Sequence, residues 1–267
     1  MMRWVVLGSA VLLAGAAWVG WKLLPSRGDR PEAEVRVAAA ADLKFALEEL
    51  ADFFQEAYPH IRVTVTVGAS GNLYAQLMNR APFDLYLSAD VDYPRKLGEA
   101  GLADPDSLFV YAIGHLALVV PRSSPIDLEK RGAQALTGPG VRKIAIANPR
   151  FAPYGQAAVQ ALESLGIHAQ VKDRLVLGEN VAQAAHFLHS GAVDAAALPV
   201  SLASVSPLRE EARFWRVPED AYPRLNQGGI ILSWAQNREA TQALAAYLQA
   251  PAGQAVLKRH GFGLPGE

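Results

Sequence analysis

From Val35 almost to its end this chain alternates strand-like and helix-like segments, joined by short loops of small residues. That alternation leaves few folds open: mainly parallel sheets with helices packed on both faces. The sharpest joint is VTVGASGNLYAQL, residues 63–75. Val63, Val65 and Val67 alternate with Thr64 and Thr66, the period of a strand. Gly68-Ala69-Ser70-Gly71 then opens a helix with Leu73 and Leu77 on one face. Ser70 therefore falls where a strand ends and a helix begins. It is either a plain N-cap or part of an anion site, because the first N–H groups of a helix lack internal partners and carry the positive end of its dipole. Gly68 and Gly71 let a ligand approach the backbone closely.

The same joint recurs. Val35 to Ala40 reads as a strand, after which Asp42 is expected to cap a helix with apolar positions Leu43, Ala46, Leu47, Leu50, Phe54 and Ala57, ended by Pro59. Further strands are expected at Phe83–Leu87, 109–120, Lys143–Ala147, Val171–Leu177, Val193–Leu198 and Ile230–Ser233. Helices are expected at Tyr93–Ala100, Gln156–Leu165, Asn180–Ser190, 238–249 and 252–260, several stopped by glycine. These are too many units for one sheet, so two α/β lobes are expected. Ligands of such sheets bind beyond the carboxyl ends of the strands. Four strand-to-helix loops lie there: 39–43, 68–72, 148–155 and 177–181. Two fall in each half of the chain, which suits a small oxyanion held between lobes.

Composition narrows the partners. A net charge of -1 over 267 residues, with no basic run, argues against nucleic acid. The absence of cysteine excludes disulfides, thiolate metal sites and a lipid-modified N-terminal cysteine. Arg3 precedes an apolar run from Trp4 to Trp21, which reads as a signal peptide or, uncut, as a membrane anchor over residues 1–24. Tryptophans near both ends suit membrane interfaces. PSRGDRPEAE, residues 25–34, reads as a linker. The remainder is expected to be exported, held to the inner membrane by residues 4–24 where these stay uncut.

Several segments together resemble the periplasmic molybdate-binding protein family, the solute receptors of molybdate ABC importers. The likeness covers residues 35–263 and rests on AAAADLKFALEELADFF, GASGNLYAQLMNRAPFDLYLSAD, ANPRFAPYGQAAVQAL, LGENVAQAA and YLQAPAGQAVLKRHGFGLP. It implies a two-lobed type II periplasmic-binding-protein fold, each lobe a mixed, mainly parallel sheet flanked by helices. The implied crossovers fall near Val119–Pro121 and Tyr222–Gln227, giving lobe 1 as residues 35–119 plus 225–267 and lobe 2 as 120–224. The implied ligand is molybdate or tungstate, with no cofactor and no catalytic residue. Molybdenum would arrive as its oxyanion, with no side chain ligating a cation. The implied contacts are the Ala41-Asp42 turn, the hydroxyl and N–H of Ser70, and the N–H groups of Tyr154 and Val181. The implied partner is an ABC transporter permease, with the receptor itself a monomer.

Two positions depart from the family pattern. Ala41-Asp42 stands where many members carry Ser, Thr or Asn. A carboxylate facing a dianion is repulsive, so Asp42 is left to contribute its N–H or to turn away. Pro199 stands where some members place a tyrosine hydroxyl, and Ser201 lies nearby. The alternatives are another oxyanion such as sulfate or phosphate, or a carboxylate with Arg150 as its clamp. A hydrogen phosphate would find an acceptor in Asp42. A serine-dependent hydrolase is a further alternative, but Asn72 breaks the G-x-S-x-G pattern and no base is evident. His186 and His189 share a helix face without a metal motif, and an exposed face is expected there.

Overall fold

The computed structural model describes residues 32–267. The expectations for residues 1–24 and for most of the linker lie outside them. In chain order the first part runs β1 (Ala33–Ala40), a 3-10 turn (Ala41–Leu43), α1 (Lys44–Ala57), β2 (Ile61–Gly68), α2 (Ser70–Met78), β3 (Leu85–Ser88), α3 (Asp92–Glu99) and β4 (Phe109–Gly114). The second part runs β5 (Leu116–Pro121), α4 (Leu128–Arg131), β6 (Ile144–Ala147), α5 (Pro153–Ser164), α6 (His168–Val171), β7 (Leu175–Gly178), α7 (Val181–His189), β8 (Ala195–Pro199), α8 (Val200–Ala203), α9 (Leu208–Glu211) and β9 (Ala212–Arg216). The chain then returns through β10 (Leu225–Ile231), α10 (Arg238–Gln249) and α11 (Pro251–Arg259).

Two five-stranded sheets result, ordered β2-β1-β3-β10-β4 and β7-β6-β8-β5-β9. The first three strands of each are parallel, and β10 and β5 pair antiparallel to their neighbours. Period-two alternation fills both faces of each sheet. In the first, Val35, Val37, Leu85 and Leu87 pack toward Leu50, Phe54, Leu244 and Leu257. Ala38, Tyr86 and Ile230 face the other way, onto Leu73, Leu77 and Leu97. In the second, Leu116, Leu118, Ile144 and Ile146 pack with Leu162, while Ala117, Val119 and Ala145 meet Ala184 and Leu188. This is the expected pair of lobes. Among the described residues no helix is long and apolar enough to cross a membrane.

Three expectations need correction. β5 lies in the second sheet over its whole length, so the first crossover is at His115 and not at Val119–Pro121. Residues 116–119 accordingly pair with lobe 2. The apolar start of the segment 171–177 is helical: Val171 ends α6 fully buried, and the strand begins only at Leu175. The strand expected at Ile230–Ser233 runs from Leu225 to Ile231. Its Gly228-Gly229 pair answers a packing need. A Cβ at Gly228 would lie 2.6 Å from Val91, and one at Gly229 2.5 Å from Phe109.

An ion pair with a fully buried carboxylate holds β1, β3 and the chain after β10 together. Asp84 is fully buried and accepts from the Arg36 N–H at 2.8 Å, from Arg36 Nε at 3.0 Å and from the Gln236 N–H at 2.8 Å. Burial pushes its carboxyl up, but Arg36 and the two N–H groups outweigh that and hold it below the usual range. Its stabilisation is therefore complete above the unfolded-state pKa and lost as pH falls through the folded one. Asp84→Asn is expected to cost about 3 kcal/mol at neutral pH, since it leaves Arg36 without its charge partner. Urea melts from neutral pH down to about pH 3 should show the variant's deficit shrinking with acidification; an unchanged deficit would refute the assignment.

Candidate functional site

The helix starts predicted as ligand loops converge between the sheets. A small cavity there is lined by Ala41 and Asp42 from the first turn, Ser70 from α2, Tyr154 from α5 and Val181 from α7, together with Ala69, Ala89, Ala152 and Asn180. All five predicted residues are brought together. Among the described residues, no Lys, Arg or His lines it. Larger hollows lie elsewhere, one by Tyr58, His60 and Arg238, another by Lys44, Phe45 and His186, and neither is built from converging helix starts.

Each donor follows from local sequence. Ala69 is the N-cap of α2 and Ser70 its first residue, so Ser70 is not the capping side chain. Its Oγ accepts from the Ala89 N–H at 3.1 Å, which leaves the hydroxyl proton free to donate elsewhere. The Ser70 carbonyl accepts from the Tyr86 hydroxyl at 2.7 Å and so fixes the helix start. Among the described residues, Ser70 Oγ bonds to no histidine or carboxylate, the partners a hydrolytic serine requires. Pro153 opens α5, where its missing N–H costs nothing, and Tyr154 follows. Asn180 caps α7, accepting from Ala182 and Gln183 at 2.9 and 3.1 Å. No carbonyl among the described residues takes the N–H of Ser70, Tyr154 or Val181.

Asp42 departs from its expected role. The helical path begins at Ala41, with Ala40 as its extended N-cap, and α1 continues from Leu43 without a side-chain cap. Asp42 therefore lies inside the first turn and cannot cap it. Its side chain is buried instead, and Oδ2 accepts from Gln227 Nε2 at 2.5 Å. Gln227 Nε2 also donates to the Tyr154 hydroxyl at 3.1 Å, and Tyr111 donates to Gln227 Oε1 at 3.0 Å. Burial raises the Asp42 carboxyl to about 6, although Gln227, the N–H groups of Asp42 and Leu43 and the Tyr154 hydroxyl favour its ionised form. Burial and the neighbouring Asp42 also push the Tyr154 and Tyr111 hydroxyls up, so both stay protonated.

Sequence reasoning missed Gln227 and Tyr111. The polar pair Asn226-Gln227 beside two glycines resembles a loop, and nothing local marks Gln227 as fully buried. Pro199 supplies no hydroxyl, and Ser201 Oγ donates to the Asp42 carbonyl at 2.9 Å, tying α8 to the first turn. Arg150 is exposed and stacks on Phe151 at 5.1 Å, away from the role of a carboxylate clamp. A further tie between lobes runs from the Gly71 N–H to the Phe151 carbonyl at 2.8 Å.

Two α/β lobes joined by crossing strands, with helix starts facing a shared cleft, define a periplasmic-binding-protein fold. Residues 35–263 match the family described as bacterial extracellular solute-binding protein, and the chain belongs to that family. It is 35% identical over 232 residues to the molybdate-binding protein ModA of Azotobacter vinelandii, spanning 87% of this chain and 90% of that one. It is 32% identical to ModA of Rhodobacter capsulatus, over 86% and 88% of the two chains. The solved Azotobacter vinelandii periplasmic molybdate-binding protein superposes with a TM-score of 0.78 at 34% identity, covering 86% of this chain and 99% of that one.

The Gly71 contact predicts how closure can be blocked. A Cβ at Gly71 would sit 2.9 Å from the Phe151 carbonyl oxygen and 3.0 Å from the Tyr93 hydroxyl. Gly71→Ala should hold the lobes apart and increase the radius of gyration in small-angle scattering with ligand present. The melting temperature without ligand should move by less than about 4 °C, because each lobe keeps its own core. An unchanged scattering profile would show that this contact does not limit closure.

Proposed function

We propose that this protein captures molybdate between its lobes outside the cytoplasm and delivers it to the permease of an ABC importer. One observation carries the reading. Helix starts from both lobes converge on one cavity with a serine hydroxyl and N–H groups that are unpaired among the described residues, where no basic side chain lines it. Such a cavity matches a small, fully ionised oxyanion, whose oxygens accept from every side. The relatives named for molybdate binding support the choice among oxyanions. Tungstate, equal in charge and close in size, fits the same donors. The proposed contacts are the Ala41-Asp42 turn, the hydroxyl and N–H of Ser70, and the N–H groups of Tyr154 and Val181. The protein acts as a monomeric receptor without catalytic chemistry, and residues 4–24 direct its export or tether it to the inner membrane.

Ser70→Ala removes the one hydroxyl proposed to bind the anion. It should weaken molybdate binding by about 1.5–3 kcal/mol, the scale of a hydrogen bond to a charged group. Isothermal titration calorimetry reads this directly, and equal affinities would remove Ser70 from the site.

Sodium chloride should change the affinity little between about 0.05 and 0.5 M, because buried donors are screened far less than exposed charges. A steep loss with salt would indicate a surface basic site. Phosphate binding with molybdate excluded would overturn the molybdate reading.

A further inference from the structure

We propose that closing the lobes over the oxyanion takes up one proton from solvent, carried by Asp42. The inference rests on the oxyanion reading above and adds a proton to its stoichiometry. Asp42 lies where the lobes meet. Its carbonyl accepts from Ser201 of α8, and its Oδ2 shares Gln227 Nε2 with the Tyr154 hydroxyl of α5. Ser201 and Tyr154 belong to the second lobe, Gln227 and Tyr111 to the first. The carboxyl is thus enclosed by residues of both lobes and is 2% exposed. Its Oδ1 is buried with no partner in hydrogen-bonding geometry among the described residues.

Among the described residues no cation offsets this carboxyl. The titratable groups facing it are Tyr111 on β4 and Tyr154 on α5, both held neutral. The other elements packed around the first turn are α1, α7, α8, β2 and β10. α1 brings Lys44, whose Nζ lies 5.2 Å from the Phe45 ring centre, beside the outer hollow. α7 brings His186 and His189 to that same hollow, and His189 pairs with Glu211. α8 and β10 carry no charged residue. Arg62 of β2 sits at the opposite end of its strand, opposite Glu34.

An anion in the cavity shares its walls with Asp42. Two negative groups there repel with little screening, and the carboxyl is the one that can accept a proton. In the closed protein, burial outweighs the hydrogen bonds that favour the ionised form and raises it to about 6, and an adjacent dianion raises it further. When the lobes part, Tyr154 and Ser201 leave with the second lobe, water reaches the carboxyl, and it titrates in the ordinary carboxyl range. The balance is open protein with ionised Asp42, plus dianion, plus one proton, giving the closed complex with a neutral carboxyl. The proton comes from water or buffer and resides on Oδ1, while Oδ2 continues to accept from Gln227.

The test is calorimetric titration of the full chain with sodium molybdate at pH 6, 7 and 8, in buffers of differing ionisation enthalpy. The wild type should take up between about half and one proton per molybdate at pH 6. Its Kd should rise with pH by up to about tenfold per unit until the closed complex ionises. Asp42→Asn, equal in shape, should take up none and show a flat Kd over the same range. Molybdate binding by the wild type without proton uptake at pH 6 would overturn this proposal and leave the proposed function intact, and that count needs no variant. Undiminished uptake by Asp42→Asn would assign the proton elsewhere and also overturn it. Absence of molybdate binding by the wild type would overturn the function and this inference together.

Discussion

A backbone N–H buried without an acceptor is costly, and this protein places several of them against one cavity. Helix starts leave their first N–H groups unpaired, and burial would normally require a side chain or water to satisfy them. Here α2, α5 and α7 aim their starts at a shared cleft, and Ser70, Tyr154 and Val181 keep N–H groups uncommitted. The rest of the architecture serves that arrangement. Parallel strands bring helix starts to one edge of each sheet, and the two sheets face those edges toward each other. A Pro at the first helical position and an Asn cap satisfy or delete neighbouring donors, so that the remaining ones stay available to a ligand.

The strand–helix order, the two lobes and the four strand-to-helix loops were legible because each depends on local pattern, whereas the choice of Ala41, Asp42, Ser70, Tyr154 and Val181 within those loops came from the family resemblance. Alternation marks β2, helical spacing marks α1, and small residues mark the joints. What failed depended on distant partners. Asp42 has the chemistry of a cap, but its helical path starts one residue before it, and only Gln227, 185 residues away, explains where the carboxyl goes. The strand expected at Ile230–Ser233 begins five residues earlier, through a glycine pair that the packing of Val91 and Phe109 requires. The crossover at His115 carries no turn signature, since β4 and β5 are one apolar run broken by a single residue. Val171 is apolar in either reading, and its helix is decided by burial in the second lobe.

The hinge joins two crossings of similar character. His115 separates β4 from β5, and residues 217–224 separate β9 from β10. The Leu116 N–H donates to the Tyr222 hydroxyl at 3.1 Å, and the Val217 N–H to the Leu116 carbonyl at 3.0 Å, which couples the crossings to one another. Both lobes contribute to the buried Asp42–Gln227–Tyr154 group, so lobe movement and the environment of that carboxyl are a single coordinate.

Alanine is the commonest residue in the walls of the cleft: Ala40, Ala41, Ala69, Ala89 and Ala152 line it, and all are buried. Methyl groups neither donate nor accept, so on the proposed reading the discrimination among ions rests on main-chain N–H groups and the Ser70 hydroxyl. Side-chain replacements there carry an asymmetric tolerance. Exchange for glycine preserves the main-chain donors and the space, whereas any larger side chain fills volume the proposed ion would occupy. The cleft is thus guarded by volume, and a lineage could change its cargo by gaining bulk at one alanine without altering any donor.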